Sequence, residues 1–178
     1  FNQQMSFPCE LRLRQTPRGL RIFRQPVREL ARLRDRCVAW SGRDVGPGAE
    51  RMDGPVGELL EVWADLEGAG ARVFGLRLRG AVVRYAPAAC ELWCLNRAAP
   101  LAAADGHLRI RALMDRTSLE VFGEQGVVSL ASCYNPQADQ AVEVFAVGGG
   151  VRVHELQVYA LRSAWESTND CQNLAADS

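Results

Sequence analysis

The stretch LRIRALMDRTSLEVFGEQG, residues 108–126, decides the fold that this sequence predicts. Apolar and polar side chains largely alternate in residues 108–115 and again in residues 118–122, on either side of a short polar segment. Alternation with a period of two residues is typical of a β-strand with one buried face. Two such strands around a short turn predict an antiparallel hairpin, so the chain is expected to be built from β-strands.

A two-residue loop at residues 116–117 sets the register of this hairpin, with Met114 facing Leu119. In that register Arg111 and Glu120 become diagonal neighbours on one face, and we expect them to form an ion pair. The apolar side chains meet on the other, buried face, namely Leu108, Ile110, Ala112, Met114, Leu119 and Val121.

The hairpin resembles the DRSSxEVF segment in the C-terminal β-sandwich of glycoside hydrolase family 32, the family of invertases, levanases and inulinases. Three other segments resemble family motifs in the same order along the chain. They are MSFPCEL (residues 5–11), similar to MSxPREL with Cys9 where Arg is usual, QPVRELARLR (residues 25–34), similar to QxPVxELxxLR, and VYALRSAW (residues 158–165), similar to LKSIW.

The resemblance implies an all-β fold over residues 1–165, a two-sheet antiparallel β-sandwich of the jelly-roll or concanavalin-like type. The alternation in residues 60–66 and 156–161 supports two packed sheets independently, because every second side chain is apolar there. Residues 166–178 are polar and are expected to form a C-terminal tail.

The resemblance also implies that this chain has no catalytic residues. Family members carry their nucleophile and general acid in an N-terminal β-propeller, in motifs resembling WMNDPNG, RDP and EC. None of these motifs occurs here, and the chain begins at Phe1 without an initiator Met. We therefore expect a sandwich module of a longer enzyme that packs on a propeller domain and stabilises it. The alternative is a carbohydrate-binding module that holds fructan, or a sucrose-like sugar, by its terminal fructose.

The charge composition excludes the most common electrostatic partners. The 21 basic residues are balanced by 21 acidic residues, which disfavours nucleic acid and anionic membranes as partners. All of the basic residues are arginine, and nine of them lie in residues 12–36. Leu11, Leu13, Leu20 and Ile22 alternate with these arginines, and we expect the arginines on the solvated face of the strands.

The cysteines and histidines do not predict a metal site or a cofactor. Six cysteines permit disulfides in a connectivity that the sequence does not fix, and buried free thiols are the simpler expectation. His107 and His154 are far apart and belong to no ligand-like cluster, so a zinc site is not expected. No signal peptide or transmembrane run is visible. Polymeric fructans do not cross membranes, so the resemblance implies a secreted or periplasmic protein.

Strands are predicted wherever short alternating or apolar runs are separated by glycine or proline. Residues 26–35 are predicted to form a short helix or an irregular turn, and residues 86–89 and 97–106 to form loops. The predicted strands lie near residues 9–15, 20–25, 36–41, 57–66, 71–79, 81–86, 90–96, 107–115, 118–123, 127–133, 140–147 and 151–162.

A sugar site needs an aromatic platform beside planar hydrogen-bond partners. We expect such a site where charged groups at the hairpin end converge near an exposed aromatic side chain. The simpler interpretation is that both tryptophans pack within strands and that Glu120 is bound in the hairpin. The candidate residues are Trp63, Trp93, Asp115, Arg116 and Glu120, with Trp40 and Tyr134 as further aromatics.

The first residues are expected to border the surface that docks on the propeller domain. Phe1, Met5, Phe7 and Pro8 lead out of the position that this domain would occupy, and they are mostly apolar. An apolar patch of this kind, exposed in the isolated chain, is expected to promote self-association, which allows a homodimer.

Overall fold

The computed structural model describes residues 5–55, 57–136 and 141–164. Three short 3-10 helices lie in this part of the chain, at Arg28–Leu33, Pro87–Ala89 and Glu124–Gly126. The strands are β1 (Cys9–Thr16), β2 (Gly19–Pro26), β3 (Arg34–Val45), β4 (Gly48–Met52), β5 (Leu60–Ala69), β6 (Val73–Leu78), β7 (Ala81–Ala86), β8 (Glu91–Cys94), β9 (Arg97–Pro100), β10 (His107–Asp115), β11 (Ser118–Gly123), β12 (Val128–Cys133), β13 (Val142–Val147) and β14 (Gly150–Leu161).

Two six-stranded sheets form a sandwich. The first sheet has the strand order β12-β11-β10-β5-β14-β3, and the second has the order β4-β13-β6-β7-β8-β9. Strands β1 and β2 form a separate two-stranded hairpin. The paired strands within each sheet run antiparallel, which confirms the predicted all-β, two-sheet antiparallel sandwich.

The hydrophobic core lies between the two sheets. Alternate residues of β5 point into it and are buried, namely Leu60, Val62, Ala64 and Leu66. The second sheet contributes Phe74, Leu76, Val83 and Tyr85 among others, and the rings of Phe74 and Tyr85 meet edge to face with their centroids 5.7 Å apart. Aromatic pairs favour this arrangement because the positive ring edge meets the negative ring face.

The central hairpin has the predicted register. Met114 pairs with Leu119 and Leu113 with Glu120 across β10 and β11. The six side chains predicted for the buried face are at most 3% exposed. The predicted face and register of this hairpin are therefore confirmed.

The predicted ion pair between Arg111 and Glu120 is wrong. Arg111 instead donates to Glu61 at 2.7 Å, and Glu120 accepts from the backbone N–H of Phe7 at 2.7 Å and from Arg24 at 3.1 Å. The reason is tertiary, because the segment before β1 covers the outer face of β11. A second apolar cluster forms beneath it, with Leu30, Leu113 and Phe122 buried and Phe7 packed against them.

The β1–β2 hairpin exposes the apolar side chains that alternate with its arginines. Leu11, Leu13, Leu20 and Ile22 are 59–66% exposed. Arg12 and Arg21 are exposed as expected, but the apolar residues between the arginines are exposed as well. A hairpin of two strands has no sheet stacked on its second face, so alternation along it does not guarantee burial.

Gly126 permits the close approach between this hairpin and the sandwich. It has a φ of +88°, and a Cβ at this position would lie 2.0 Å from the carbonyl oxygen of Arg24 in β2. Gln25 of β2 also donates to the backbone oxygen of Gln125 at 2.9 Å. The 3-10 helix Glu124–Gly126 therefore anchors β2 at one edge of the first sheet.

Several local predictions differ from the structure. Strand β4 was not expected, and β9 lies at the start of residues 97–106, where a loop was predicted. Both strands are short and lack a long alternating run, so their pairing with β13 and β8 supplies the stability that local sequence does not. Residues 26–35 were expected to form either a short helix or an irregular turn, and they contain the 3-10 helix Arg28–Leu33.

The cysteines are less buried than expected. Cys94 is buried in the core, where burial raises the pKa of its thiol to about 12, whereas Cys37, Cys90 and Cys133 are exposed. Cys90 has a left-handed backbone with φ +48° just before β8, and its side chain is exposed although it lies only four residues before the buried Cys94.

Some predicted features lie outside the described residues. They are Phe1, Trp165, Cys171 and the polar tail at residues 166–178. Among the residues that the structure describes, there is no helix long and apolar enough to cross a membrane.

Leu119→Ala should lower the free energy of unfolding by about 2–5 kcal/mol, because it leaves a cavity in the core opposite Met114. Leu13→Ala is the matched control on the exposed face of the β1–β2 hairpin, and should stay within about 0.5 kcal/mol of the wild type. Urea unfolding followed by circular dichroism measures both variants. Equal losses would contradict the assignment of buried and exposed faces.

Candidate functional site

The outer face of the first sheet carries a row of charged and aromatic residues. Strand β5 turns Glu61, Trp63, Asp65 and Glu67 outward, because its other residues fill the core. Strand β10 pairs with it, placing Leu113, Arg111, Arg109 and His107 opposite those four positions in turn. The outer face of the two strands is therefore mostly polar.

Glu61 is held in place by three neighbouring side chains of this face. Its carboxylate is fully buried and accepts hydrogen bonds from Arg34 at 2.7 Å, from Arg111 at 2.7 Å and from the indole N–H of Trp63 at 2.8 Å. Burial alone would raise the pKa of this carboxyl group. The hydrogen bond from Arg34 and the charge of Arg111 outweigh burial, so the pKa of Glu61 lies below its ordinary value of 4.5.

Trp63 is held in one orientation by these contacts. The Arg111 guanidinium lies over its ring, 4.7 Å from the centroid, while Glu61 holds its N–H. The side chain is nevertheless 40% exposed. A tryptophan with a fixed ring and an open surface can serve as a platform for the C–H face of a sugar.

Trp63 stands between two adjoining pockets. One has a volume of about 370 Å³ and is bordered by Asp65, Arg109 and Glu155, while the other has a volume of about 800 Å³ and is bordered by Glu10, Arg12 and Arg34. The two pockets share four lining residues, Gln25, Pro26, Trp63 and Arg111. We call the two pockets together the Trp63 groove. Their volumes fall within the range of about 300–1,000 Å³ common for small-molecule sites.

The structure does not bring the five predicted sugar-binding residues together. Trp63 lies in the groove on the first sheet. Trp93 lies on the outer face of the second sheet, where it donates to Glu91 at 2.7 Å and has Arg84 over its ring at 4.7 Å. The two tryptophans are therefore on opposite sides of the sandwich.

The remaining three predicted residues lie at or beside the turn of the central hairpin. Asp115 accepts from the backbone N–H of Arg116 at 2.7 Å, and the exposed Arg116 donates to Glu58 at 2.7 Å. Glu120 is only 3% exposed and is bound to Arg24 and to the backbone of Phe7. The Trp63 groove thus contains one of the five predicted residues.

The expectation that His107 and His154 are separated is wrong. Their ring centroids are 4.3 Å apart, and each binds a carboxylate of β5: His107 contacts Asp65 at 2.8 Å and His154 contacts Glu67 at 2.7 Å. The physical reason is the strand order, because β10 and β14 flank β5 on its two sides. Residues far apart in the sequence therefore meet across a single strand.

Sequence reasoning also missed Asp65, Arg109 and Arg111 as groove residues. The sequence did contain a signal for these residues, because the alternation in β5 and β10 indicates which side chains of each strand face outward. The alternation does not indicate that β5 and β10 are neighbours in the sheet. The two strands are separated by 37 residues (positions 70–106), so their pairing is not a local property of the sequence.

Glu61→Gln should make the stability of the domain less dependent on pH. The lowered pKa of Glu61 means that its ionised form stabilises the fold fully above pH 4.5, and that this contribution is lost as the pH falls through the lowered value. The difference in free energy of unfolding between wild type and Glu61→Gln should therefore shrink as the pH is lowered. Urea unfolding from about pH 7 to about pH 3 measures it.

Glu58→Gln is the matched control for that experiment, because Glu58 forms an exposed ion pair with Arg116. Its stability should stay within about 0.5 kcal/mol of the wild type over the whole range. A difference between wild type and Glu61→Gln that is the same at every pH would contradict the assigned role of the carboxylate.

The family comparison matches most of the sandwich. The family described as "Glycosyl hydrolases family 32 C terminal" matches residues 29–160. The levanase of Bacillus subtilis (strain 168) is 27% identical over 194 residues, covering 95% of this chain and 29% of the levanase. The levanase of Bacillus sp. (strain L7) is 29% identical over 187 residues, covering 91% of this chain and 20% of the levanase. The chain thus spans less than a third of either relative.

Solved structures share the fold at lower identity. The exo-inulinase of Aspergillus awamori has a TM-score of 0.77 at 18% identity, covering 90% of this chain and 36% of that one. Fructan 1-exohydrolase IIa of Cichorium intybus has a TM-score of 0.72 at 16% identity, covering 89% of this chain and 41% of that one. Together with the family match over residues 29–160, the fold shows that this chain belongs to the C-terminal domains of glycoside hydrolase family 32.

Proposed function

We propose that this domain is a non-catalytic module of a fructan-hydrolysing enzyme, and that it packs on the catalytic β-propeller and stabilises it. The observation that carries the proposal is the exposed apolar face of the β1–β2 hairpin, formed by Leu11, Leu13, Leu20 and Ile22. Soluble domains rarely expose contiguous apolar patches unless a partner covers them. We call these four residues the hairpin patch.

The propeller is the partner that family membership favours. Both levanases are several times longer than this chain, and the resemblance to family 32 implies that their remaining length includes the domain with the catalytic carboxylates. Interfaces between domains of one chain commonly bury only about 600–1,500 Å². Covalent linkage raises the effective concentration of the two surfaces, so a patch of four side chains with surrounding contacts is sufficient.

The arginines of the hairpin leave this patch apolar. Arg12, Arg14 and Arg21 alternate with the patch residues along β1 and β2, so their side chains lie on the opposite face of the hairpin. Met5 and Pro8 are also exposed at the start of the chain, whereas Phe7 is partly buried in the second apolar cluster.

Binding of fructan is the second candidate function, and the Trp63 groove favours it. The groove combines an oriented, exposed indole with Arg109, Asp65 and Glu155. Sugar sites use this mixture, in which planar charged groups bind hydroxyls and the aromatic ring covers the apolar face of the sugar. Levan is the fructan that the names of the two levanase relatives favour.

A secreted or periplasmic location accords with both functions. Fructan polymers are too large to cross a membrane intact, so a domain that serves their hydrolysis has to meet them outside the cytoplasm. The two relatives are named for levan, which is such a polymer.

Leu13→Asp combined with Ile22→Asp should destabilise the propeller in the polypeptide that joins both domains. A carboxylate placed in an apolar interface loses its hydration without gaining a partner, which costs about 2 kcal/mol or more. The thermal unfolding midpoint of the propeller should fall, while that of the isolated sandwich should not change. Differential scanning calorimetry of both proteins makes the measurement.

Leu95→Asp is the control, because Leu95 is an exposed apolar residue after β8 on the second sheet. It should leave the unfolding of the propeller unchanged. The docking proposal fails if the double variant unfolds like the wild type, or if the reading frame upstream of Phe1 encodes none of the propeller motifs.

Trp63→Ala should abolish or weaken binding of levan by about tenfold or more, since stacking supplies much of the free energy in a site with few hydrogen bonds. Wild-type affinity for a terminal sugar is expected between about micromolar and millimolar. Isothermal titration calorimetry with levan and with inulin measures both proteins. Trp93→Ala, on the opposite side of the sandwich, is the matched control and should bind as the wild type does. Loss in Trp93→Ala but not in Trp63→Ala would overturn the assignment of the groove.

A further inference from the structure

A cluster of two histidines and two carboxylates lies beyond the Trp63 groove on the same outer face. Asp65 and Glu67 of β5 are two residues apart, His107 of β10 pairs directly with Glu67, and His154 of β14 lies on the other side. The side-chain ligand atoms of Glu67, His107 and His154 all lie within 4.8 Å of one another. These three residues come from three adjacent strands of the sheet, β5, β10 and β14.

We propose that Glu67, His107 and His154 form a binding site for a divalent metal ion of the zinc class. Two imidazole nitrogens and one carboxylate oxygen are a ligand set that zinc prefers, with water completing the coordination. Such ligands lie about 2.0–2.2 Å from the ion, so they are on the order of 3.4 Å from one another in a tetrahedral site. Small side-chain rotations bring the three groups from their present spacing to that geometry.

A β-bulge places His154 in this position. Val153 pairs with Leu66 and Glu155 pairs with Asp65, so His154 is the extra residue between two rungs of the ladder. Consequently His154 and Glu155 both turn toward the outer face, while Val153 and Leu156 fill the core. Bulges re-aim side chains in this way and are frequent beside binding sites.

Asp65 orients His107 as a metal ligand. The Nδ1 atom of His107 is 2.8 Å from one carboxylate oxygen of Asp65, and Arg109 donates to the other oxygen at 3.1 Å. As a metal ligand, His107 would therefore bind through Nε2, with Nδ1 directed at Asp65. Metal-bound histidines are usually held by a carboxylate in this arrangement.

The Glu67 carboxylate differs from its neighbours in the charge that faces it. Glu61 is bound by Arg34 and Arg111, and Asp65 by Arg109. Within the described part of the chain, the ion pairs of Glu67 include no arginine, and its contact is the 2.7 Å hydrogen bond to Nε2 of His154. Arg152, which pairs with Glu67 in the ladder, binds Asp44 instead. A divalent ion would supply the missing positive charge.

The present hydrogen bond marks the position of the ion. Nε2 of His154 and Oε2 of Glu67 lie 2.7 Å apart in a hydrogen bond. An ion that enters between them would replace this hydrogen bond, with Glu67 binding through its carboxylate and His154 through Nε2 as the neutral imidazole that carries its proton on Nδ1. The side chains of His107, His154 and Glu67 are 23%, 34% and 45% exposed, so the ion has a path from solvent.

The test is calorimetric titration of the tag-free, chelator-treated domain with zinc chloride. Exposed thiolates also bind zinc, so the exposed cysteines Cys37, Cys90 and Cys133, together with Cys171, are first replaced by serine. One equivalent of zinc should bind with a Kd on the order of micromolar, and the thermal unfolding midpoint should rise with zinc concentration.

His154→Asn and Glu67→Gln should each weaken zinc binding by about 100-fold or more and remove the zinc-dependent rise in unfolding midpoint. Asp65→Asn, which removes only the orienting carboxylate, should weaken binding by about 10–100-fold. Glu143→Gln is the matched control, because Glu143 is a half-buried carboxylate that Arg77 already neutralises on the second sheet. Circular dichroism without zinc verifies that each variant is folded.

Two results would overturn the site. One is the lack of any zinc binding in the background in which Cys37, Cys90, Cys133 and Cys171 are replaced by serine. The other is zinc binding that His154→Asn or Glu67→Gln leaves unchanged, because the ion would then be bound by other ligands. The proposal is independent of fructan binding, because zinc affinity is measured without sugar.

Discussion

Strand β5 can lie in only one register between β10 and β14. A shift by one residue would exchange Leu60, Val62, Ala64 and Leu66 in the core for Glu61, Trp63, Asp65 and Glu67. The cost of burying three carboxylates without their partners makes that alternative inaccessible. Once β5 is fixed, its outer face presents these four side chains in a defined order, and the ladders to β10 and β14 bring arginines and histidines beside them.

The buried carboxylate of Glu61 acts mainly by positioning its neighbours. An ion pair in a protein interior gains little net stability, because the desolvation of both charges offsets their attraction, yet removing one partner costs about 3–5 kcal/mol. Arg34 and Arg111 both reach this carboxylate, and Arg111 also covers the ring of Trp63. The orientation of the groove platform is therefore set by a charge that solvent does not reach.

The exclusive use of arginine for positive charge has a structural consequence here. Arg111 binds a carboxylate and stacks on an indole at the same time, and Arg34 does the same with Glu61 and the ring of Tyr159 at 4.1 Å. A planar guanidinium can use its edge and its face together, whereas the ammonium group of lysine is a point charge. Arginine therefore links the polar row and the aromatic side chains into one network.

The sequence by itself determined the hairpin of β10 and β11, with its register and its buried face, and it also determined the two-sheet architecture. These features follow from the alternation of apolar and polar residues, which is a local property of each strand. Four matching segments also identified the family. Only the tertiary structure decided which strands flank β5, and hence that His107 meets His154 and that Glu120 meets Arg24 and Phe7. Alternation states which face a side chain occupies but not what covers that face, which is why Leu13 and Ile22 are exposed in a pattern that resembles a buried strand.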